Sequence, residues 1–204
     1  ISQFDIEGTL RFNNGLVLIT LTAQELYDVL EHGVARVEDV AGQFPQIAGV
    51  KFSFDPTATA MEVNESDGSI TTAGERIQNL VVVDNDGNVT DTIVQGGILQ
   101  GDASRTIRVV TLNFLAGSSD DYAGPVGGDG YPWGYPLTEL IELEEASLDV
   151  GESTFADAGS EQDAIAEYLL EFHGSSTPFD AAETDTDEDE RIQNLSARTD
   201  SVLD

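Results

Sequence analysis

The 204 residues predict an α+β fold, a mixed β-sheet domain with a few flanking helices. Three observations carry that expectation. Several short apolar runs alternate with polar residues or are β-branched, and they end on turn formers, as strands do. Two other segments repeat apolar residues at helical spacing behind a side-chain cap. Hydrophobic residues make up 40% of the chain, enough for a sizeable core, yet no apolar run reaches the roughly 18 residues that a membrane span needs.

Within residues 15–39, Leu16-Val17-Leu18-Ile19 reads as a buried strand feeding a helix. Thr22 and Glu25 have the spacing of a capping box, in which each side chain accepts the other's backbone N–H. Leu26, Val29, Leu30 and Val34 then recur on one face, and Gly33 is placed to end the helix. Residues 49–54 alternate apolar and polar before Asp55-Pro56, and residues 77–83 run into Asp84-Asn85-Asp86-Gly87-Asn88; both read as strands closed by turns. The polar, small-residue stretch 57–72 between them reads as a long surface excursion.

Residues 106–114 are β-branched and largely apolar, as a central strand would be. Glycine, serine and aspartate interleaved with Tyr122, Tyr131 and Trp133 fill residues 117–134, the composition of an ordered loop whose aromatics pack on something. A second helix is expected over residues 160–174, capped by Ser160 with Asp163 at the third position, striped by Ile165, Tyr168, Leu169 and Phe172, and stopped by Gly174. A solvated acidic run follows at residues 183–190. The hexapeptide Glu-Arg-Ile-Gln-Asn-Leu occurs twice, at residues 75–80 and 190–195, 115 residues apart. Its plain reading is two strands that independently need the same alternation; its sharper reading is two related strands in similar positions.

Acidic residues number 39 against 8 basic ones, a formal net charge of -31. Such a surface repels phosphate backbones and anionic lipid, so a nucleic acid polymer is not an expected partner. Lys51 is the one lysine, and the balance suits a high-salt or extracellular setting. The absence of cysteine removes disulfides, thiolate nucleophiles and Cys-ligated zinc. The chain opens on Ile1 and is expected to be a fragment of a longer protein.

His32 and His173 fall near predicted helix ends, where the dipole favours an imidazolium, and no metal-ligand spacing links them. The residues carry no two-metal motif. Asp84 to Asn88 departs from a calcium loop, because its glycine stands fourth rather than sixth; a hairpin turn is the better reading. Nucleophile elbows, Walker loops and dinucleotide fingerprints do not occur. Taken alone, the residues specify a mixed domain with aromatic-bearing glycine loops and no catalytic apparatus.

Several segments, in order, resemble the C-terminal domain of the 5'-nucleotidase family, which includes UDP-sugar hydrolases and cyclic-nucleotide phosphodiesterases. Residues 12–22, from Phe12-Asn13-Asn14-Gly15 onward, look like the family's Pro-Phe-Gly-Asn segment, its strand and its helix start; Leu30-Glu31-His32-Gly33 resembles that helix's end. Residues 42–50 and Phe52-Ser53-Phe54-Asp55-Pro56 fit the next loop and strand. Asn113-Phe114 and Gly127-Gly128-Asp129-Gly130-Tyr131 are similar to the family's Asn-Phe-x-x-x-Gly-Gly-Asp-Gly-Tyr loop. Asn13 stands where the family has glycine, Arg11 where it has proline, and residues 117–126 lengthen the last loop.

The resemblance implies a nucleoside site: Phe12 and Phe114 sandwich the base, Asn14 contacts it, Gly42 lies beside it, and Asp129 holds the ribose hydroxyls. Asp120, in the lengthened loop, competes with Asp129, whose Gly-Gly-Asp-Gly-Tyr-Pro context fits the family. It also implies one domain over residues 1–204 with an acidic extension from about 180. Its partners would be a nucleotide or nucleoside and its own N-terminal catalytic domain. That domain, absent from this chain, would hold two divalent metal ions, and this chain alone would be inactive. The implied location is extracellular, periplasmic or cell-surface. The competing class is a non-catalytic structural or interaction module that kept the fold and lost nucleotide binding. The two differ in whether Phe12 and Phe114 face each other across an open cleft with Asp129 at its rim or pack into the core.

Overall fold

The computed structural model describes residues 1–39, 41–64, 69–116, 141–142, 153–182 and 184–203. Their order is α1 (Gln3–Thr9), β1 (Leu16–Thr22), α2 (Ala23–Gly33), β2 (Val50–Phe54), β3 (Glu62–Val63), β4 (Ile70–Thr72), β5 (Ile77–Val83), β6 (Val89–Gln95), β7 (Ile98–Leu99), β8 (Thr106–Leu112), α3 (Asn113–Ala116), β9 (Ile141–Glu142), α4 (Glu161–Phe172) and β10 (Ile192–Asn194). Three sheets result: β8-β1-β9, β10-β2-β5-β6-β7, and the short pair β3-β4.

β1 buries Val17, Ile19 and Leu21 on one face, as a period of two requires. It passes directly into α2 through the expected capping box: Thr22 Oγ1 accepts from Glu25 N at 3.1 Å, and Glu25 Oε2 accepts from Thr22 N at 2.7 Å. α2 packs on β1 and β8 of one sheet and on β5, β6 and β7 of the other. One buried cluster therefore joins Leu26, Val29 and Leu30 of α2 to Phe52 and Phe54 of β2, Leu80 of β5 and Ile93 of β6. The α+β class and the mixed sheet are as expected.

The β5–β6 hairpin turns at residues 84–88, where Asp84 Oδ1 accepts from Asp86 N at 3.0 Å and Asn88 N at 2.9 Å. These bonds, led by those with Asn88, hold the Asp84 carboxyl below its usual range. The two hexapeptides lie on either side of the same strand. β5 pairs antiparallel with β2 and β10 pairs parallel with it, so that Ser53 faces Asn79 on one side and Gln193 on the other. Residues of the acidic C-terminal stretch thus return to the sheet at Ile192.

Four expectations need correction. β8 is an edge strand rather than a central one: among the described residues it pairs with β1 alone, and its side chains alternate between exposed and half-buried, with Val110 54% exposed. A β-branched run reads as two-sided burial, but edge position depends on long-range pairing that the run does not encode. The expected stripe of α4 is not its buried face either. Gln162, Asp163 and Ala166 are buried, while Tyr168 and Phe172 are exposed; Ile165, Tyr168 and Leu169 line a groove of about 400 Å³ shared with Ile6 of α1 and Leu10. The excursion at 57–72 is also less bare than expected, since it carries the β3–β4 pair and the buried Met61.

His32 gives the fourth correction. It sits in the last turn of α2, yet burial pushes its pKa down to about 4, so the ring is neutral where the dipole alone favours a cation. Beside it Glu31 is buried and accepts from Ile77 N at 2.8 Å and Arg76 N at 3.1 Å. Burial raises its pKa, and the two backbone bonds oppose that rise. Gly74 makes room for this carboxylate, because a Cβ there would overlap Glu31 Oε2. The loop of residues 117–134 falls outside the described residues.

Candidate functional site

The end of the β1–β8 ladder collects the first residues of interest. Leu16 faces Leu112 in register, and the ladder extends one step beyond it through Asn113 N, which donates to Gly15 O at 2.8 Å. Glycine suits this step because a Cβ on Gly15 would stand 3.3 Å from Asn113 Nδ2. Phe12 precedes this junction by three residues and Phe114 follows Asn113 directly, in α3. Both rings are open to solvent, with Phe12 81% and Phe114 51% exposed. Large apolar side chains in that state lose the burial that drives folding, so their placement is not explained by the core.

Asn13 bends the chain between them. Its φ of 47° lies in the left-handed region, which glycine adopts freely and asparagine tolerates better than most residues. The exchange of glycine for Asn13 therefore keeps the backbone path. Asn14 is half-buried, and its backbone N and Nδ2 both donate to Glu161 Oε1, at 2.9 and 3.0 Å. Glu161 opens α4, whose cap is Ser160: its Oγ accepts from Asp163 N at 3.3 Å.

Phe12, Asn14 and Phe114 are thus brought to one end of one ladder. Gly42 lies on the loop after α2, where an added Cβ would meet nothing within 4 Å. The contacts that tie the other three residues together do not run through it. Asp129 and its competitor Asp120 lie outside the described residues. Sequence reasoning found the cap at Ser160 but missed Glu161, because 147 residues separate it from Asn14 and nothing local marks the pair.

Among the described residues, no group of three or more His, Asp or Glu side chains is placed to hold a metal ion. No described helix is long and apolar enough to cross a membrane.

The sequence model of the 5'-nucleotidase C-terminal domain family matches residues 1–124. The chain belongs to that family. The 5'-nucleotidase precursor of Thermus thermophilus superposes with a TM-score of 0.61 at 22% identity, over 95% of this chain and 28% of that one. The NAD nucleotidase of Haemophilus influenzae gives 0.58 at 14% identity, over 98% and 27%. These two likenesses are likenesses of fold. In sequence, 54 residues are 33% identical to the trifunctional nucleotide phosphoesterase protein YfkN of Bacillus subtilis, which is 26% of this chain and 4% of that protein. This 5'-nucleotidase C-terminal domain therefore spans only a small part of the proteins it resembles.

Proposed function

We propose that this domain grips the nucleoside part of a nucleotide while a second domain of the same protein cuts the phosphate ester. The observation that carries the reading is the pair of solvent-open phenylalanines, Phe12 and Phe114, at one end of the β1–β8 ladder. Two exposed rings at one ladder end, with an amide side chain on the same segment as one of them, suit a nucleobase, since each aromatic stack is worth about 1–3 kcal/mol and tolerates base identity. Asn14 supplies hydrogen bonds to the base edge, Gly42 gives open space beside it, and Asp129 supplies the carboxylate for the ribose diol. Openness of both rings also argues against the structural module, for which they would serve as core.

In this reading residues 1–204 form one domain of a secreted or surface phosphohydrolase. Its upstream partner carries two divalent metal ions that activate water, and this chain alone is inactive. The net charge of -31 is compatible with such a role because the metals, not this surface, meet the phosphate.

The test is an adenosine titration of this chain followed by amide chemical shifts. Shifts are expected to cluster at Phe12, Gly42 and Phe114, and Phe114→Ala should weaken binding about tenfold or more, from the stacking energy above. A saturating response that Phe114→Ala leaves unchanged removes that ring from the site. A flat titration removes the nucleoside reading for this chain.

A further inference from the structure

Five hydrogen bonds link one turn of chain, residues 159–162, to residues 10–16. Gly159 O accepts from Leu16 N at 2.9 Å, and Glu161 N donates to Asn14 O at 2.8 Å. Glu161 Oε1 accepts from both Asn14 N and Asn14 Nδ2, and Gln162 Nε2 donates to Leu10 O at 2.7 Å. The cap of α4 is already supplied by Ser160, so the Glu161 carboxylate is not the cap, although as an acid in the first turn it also suits the helix dipole. It serves the segment that carries Phe12 and Asn14.

The chemistry of that contact fixes a choice that an amide otherwise leaves open. Asparagine presents an acceptor on one side of Cγ and a donor on the other, and a flip exchanges them. An ionised carboxylate only accepts, so an Oδ1 turned toward Glu161 would meet like charge, whereas Nδ2 meets a charge-assisted hydrogen bond. The same oxygen holds the Asn14 backbone N–H, so side chain and backbone are set together.

We propose that Glu161 is a positioning residue: it orients the Asn14 amide, so that Oδ1 and one N–H remain as the pair offered to a bound base. The proposal rests on the nucleoside reading above. It assigns to the first turn of α4, outside residues 1–124, a part in base recognition.

The experiment compares the unsubstituted chain with Glu161→Gln, Asn14→Ala and the double variant, each checked for an unchanged melting transition. Glu161→Gln keeps size and an acceptor oxygen but loses the charge and admits the flipped amide. It should weaken adenosine binding about fivefold to tenfold, the scale of one net hydrogen bond. In the Asn14→Ala background the same substitution should cost much less, because only the bond to the residue-14 backbone N–H remains for it to weaken. The Asn14 side-chain amide resonances should also move in Glu161→Gln without ligand. Equal losses in both backgrounds, or no loss in either, overturn the proposal. A chain that ignores adenosine removes the base-facing half together with the nucleoside reading. Asn14 side-chain resonances indifferent to Glu161→Gln remove the positioning alone.

Discussion

Two effects compete at His32, and their sizes decide its charge. A helix C-terminus favours an imidazolium by up to about 2 kcal/mol in good geometry, while full burial can shift a pKa by several units. Burial wins, and the pKa falls to about 4. The unfolded ring titrates near 6.5, so between pH 6.5 and 4 the unfolded chain binds more protons than the folded one. The contribution of His32 is therefore complete above about pH 6.5 and is lost as the pH falls through that window. NMR titration of the ring should give a midpoint near 4; a midpoint near 6.5 would place the imidazole in water and refute the burial argument. The same competition explains what was legible at this scale. Helix position can be read from spacing, but the depth of a residue cannot. Motif context named Phe12, Asn14 and Phe114, which lie at one end of the β1–β8 ladder, whereas the contact of Glu161 with Asn14 becomes visible only when two distant segments meet.

α2 is finished by a residue far from it in sequence. Arg76 is buried, and its Nη1 donates to Val34 O at 2.8 Å and Ala35 O at 3.2 Å, satisfying carbonyls just beyond the helix end. Its Nε donates to Ala58 O at 3.2 Å, and the guanidinium pairs with Glu38. Arg76→Leu leaves these acceptors without a donor and should destabilise the fold by about 3 kcal/mol, read from chemical denaturation. A loss below about 1 kcal/mol would show that water replaces the side chain. Elements with local signatures were legible: the strand-to-helix passage at Thr22, the turn at residues 84–88, and the cap of α4. The place of β8 at an edge was not, because a seven-residue run with six β-branched or apolar residues states a strand without stating how many neighbours it has. The buried face of α4 was missed for a related reason. Its docking is made by Glu161 and Gln162, polar side chains that hydrophobic periodicity ignores.

Across the whole molecule, a net charge of -31 places many like charges within one screening length of each other at low salt. Raising the ionic strength from about 0.01 M to about 1 M shortens that length from roughly 30 Å to 3 Å. The melting temperature should rise by about 4 °C or more, equivalent to one or two kcal/mol for a chain of this size. A flat or falling melting temperature would mean that specific pairs such as Arg105 with Asp91 outweigh the general repulsion. The sheet holds one further lesson at this scale. Glu-Arg-Ile-Gln-Asn-Leu meets β2 once running against it and once running with it, at the same Ser53. Six identical letters thus have two opposite meanings in one molecule. Direction along a sheet is therefore information held by the turns and partners that deliver a strand, and the strand's own wording is silent about it.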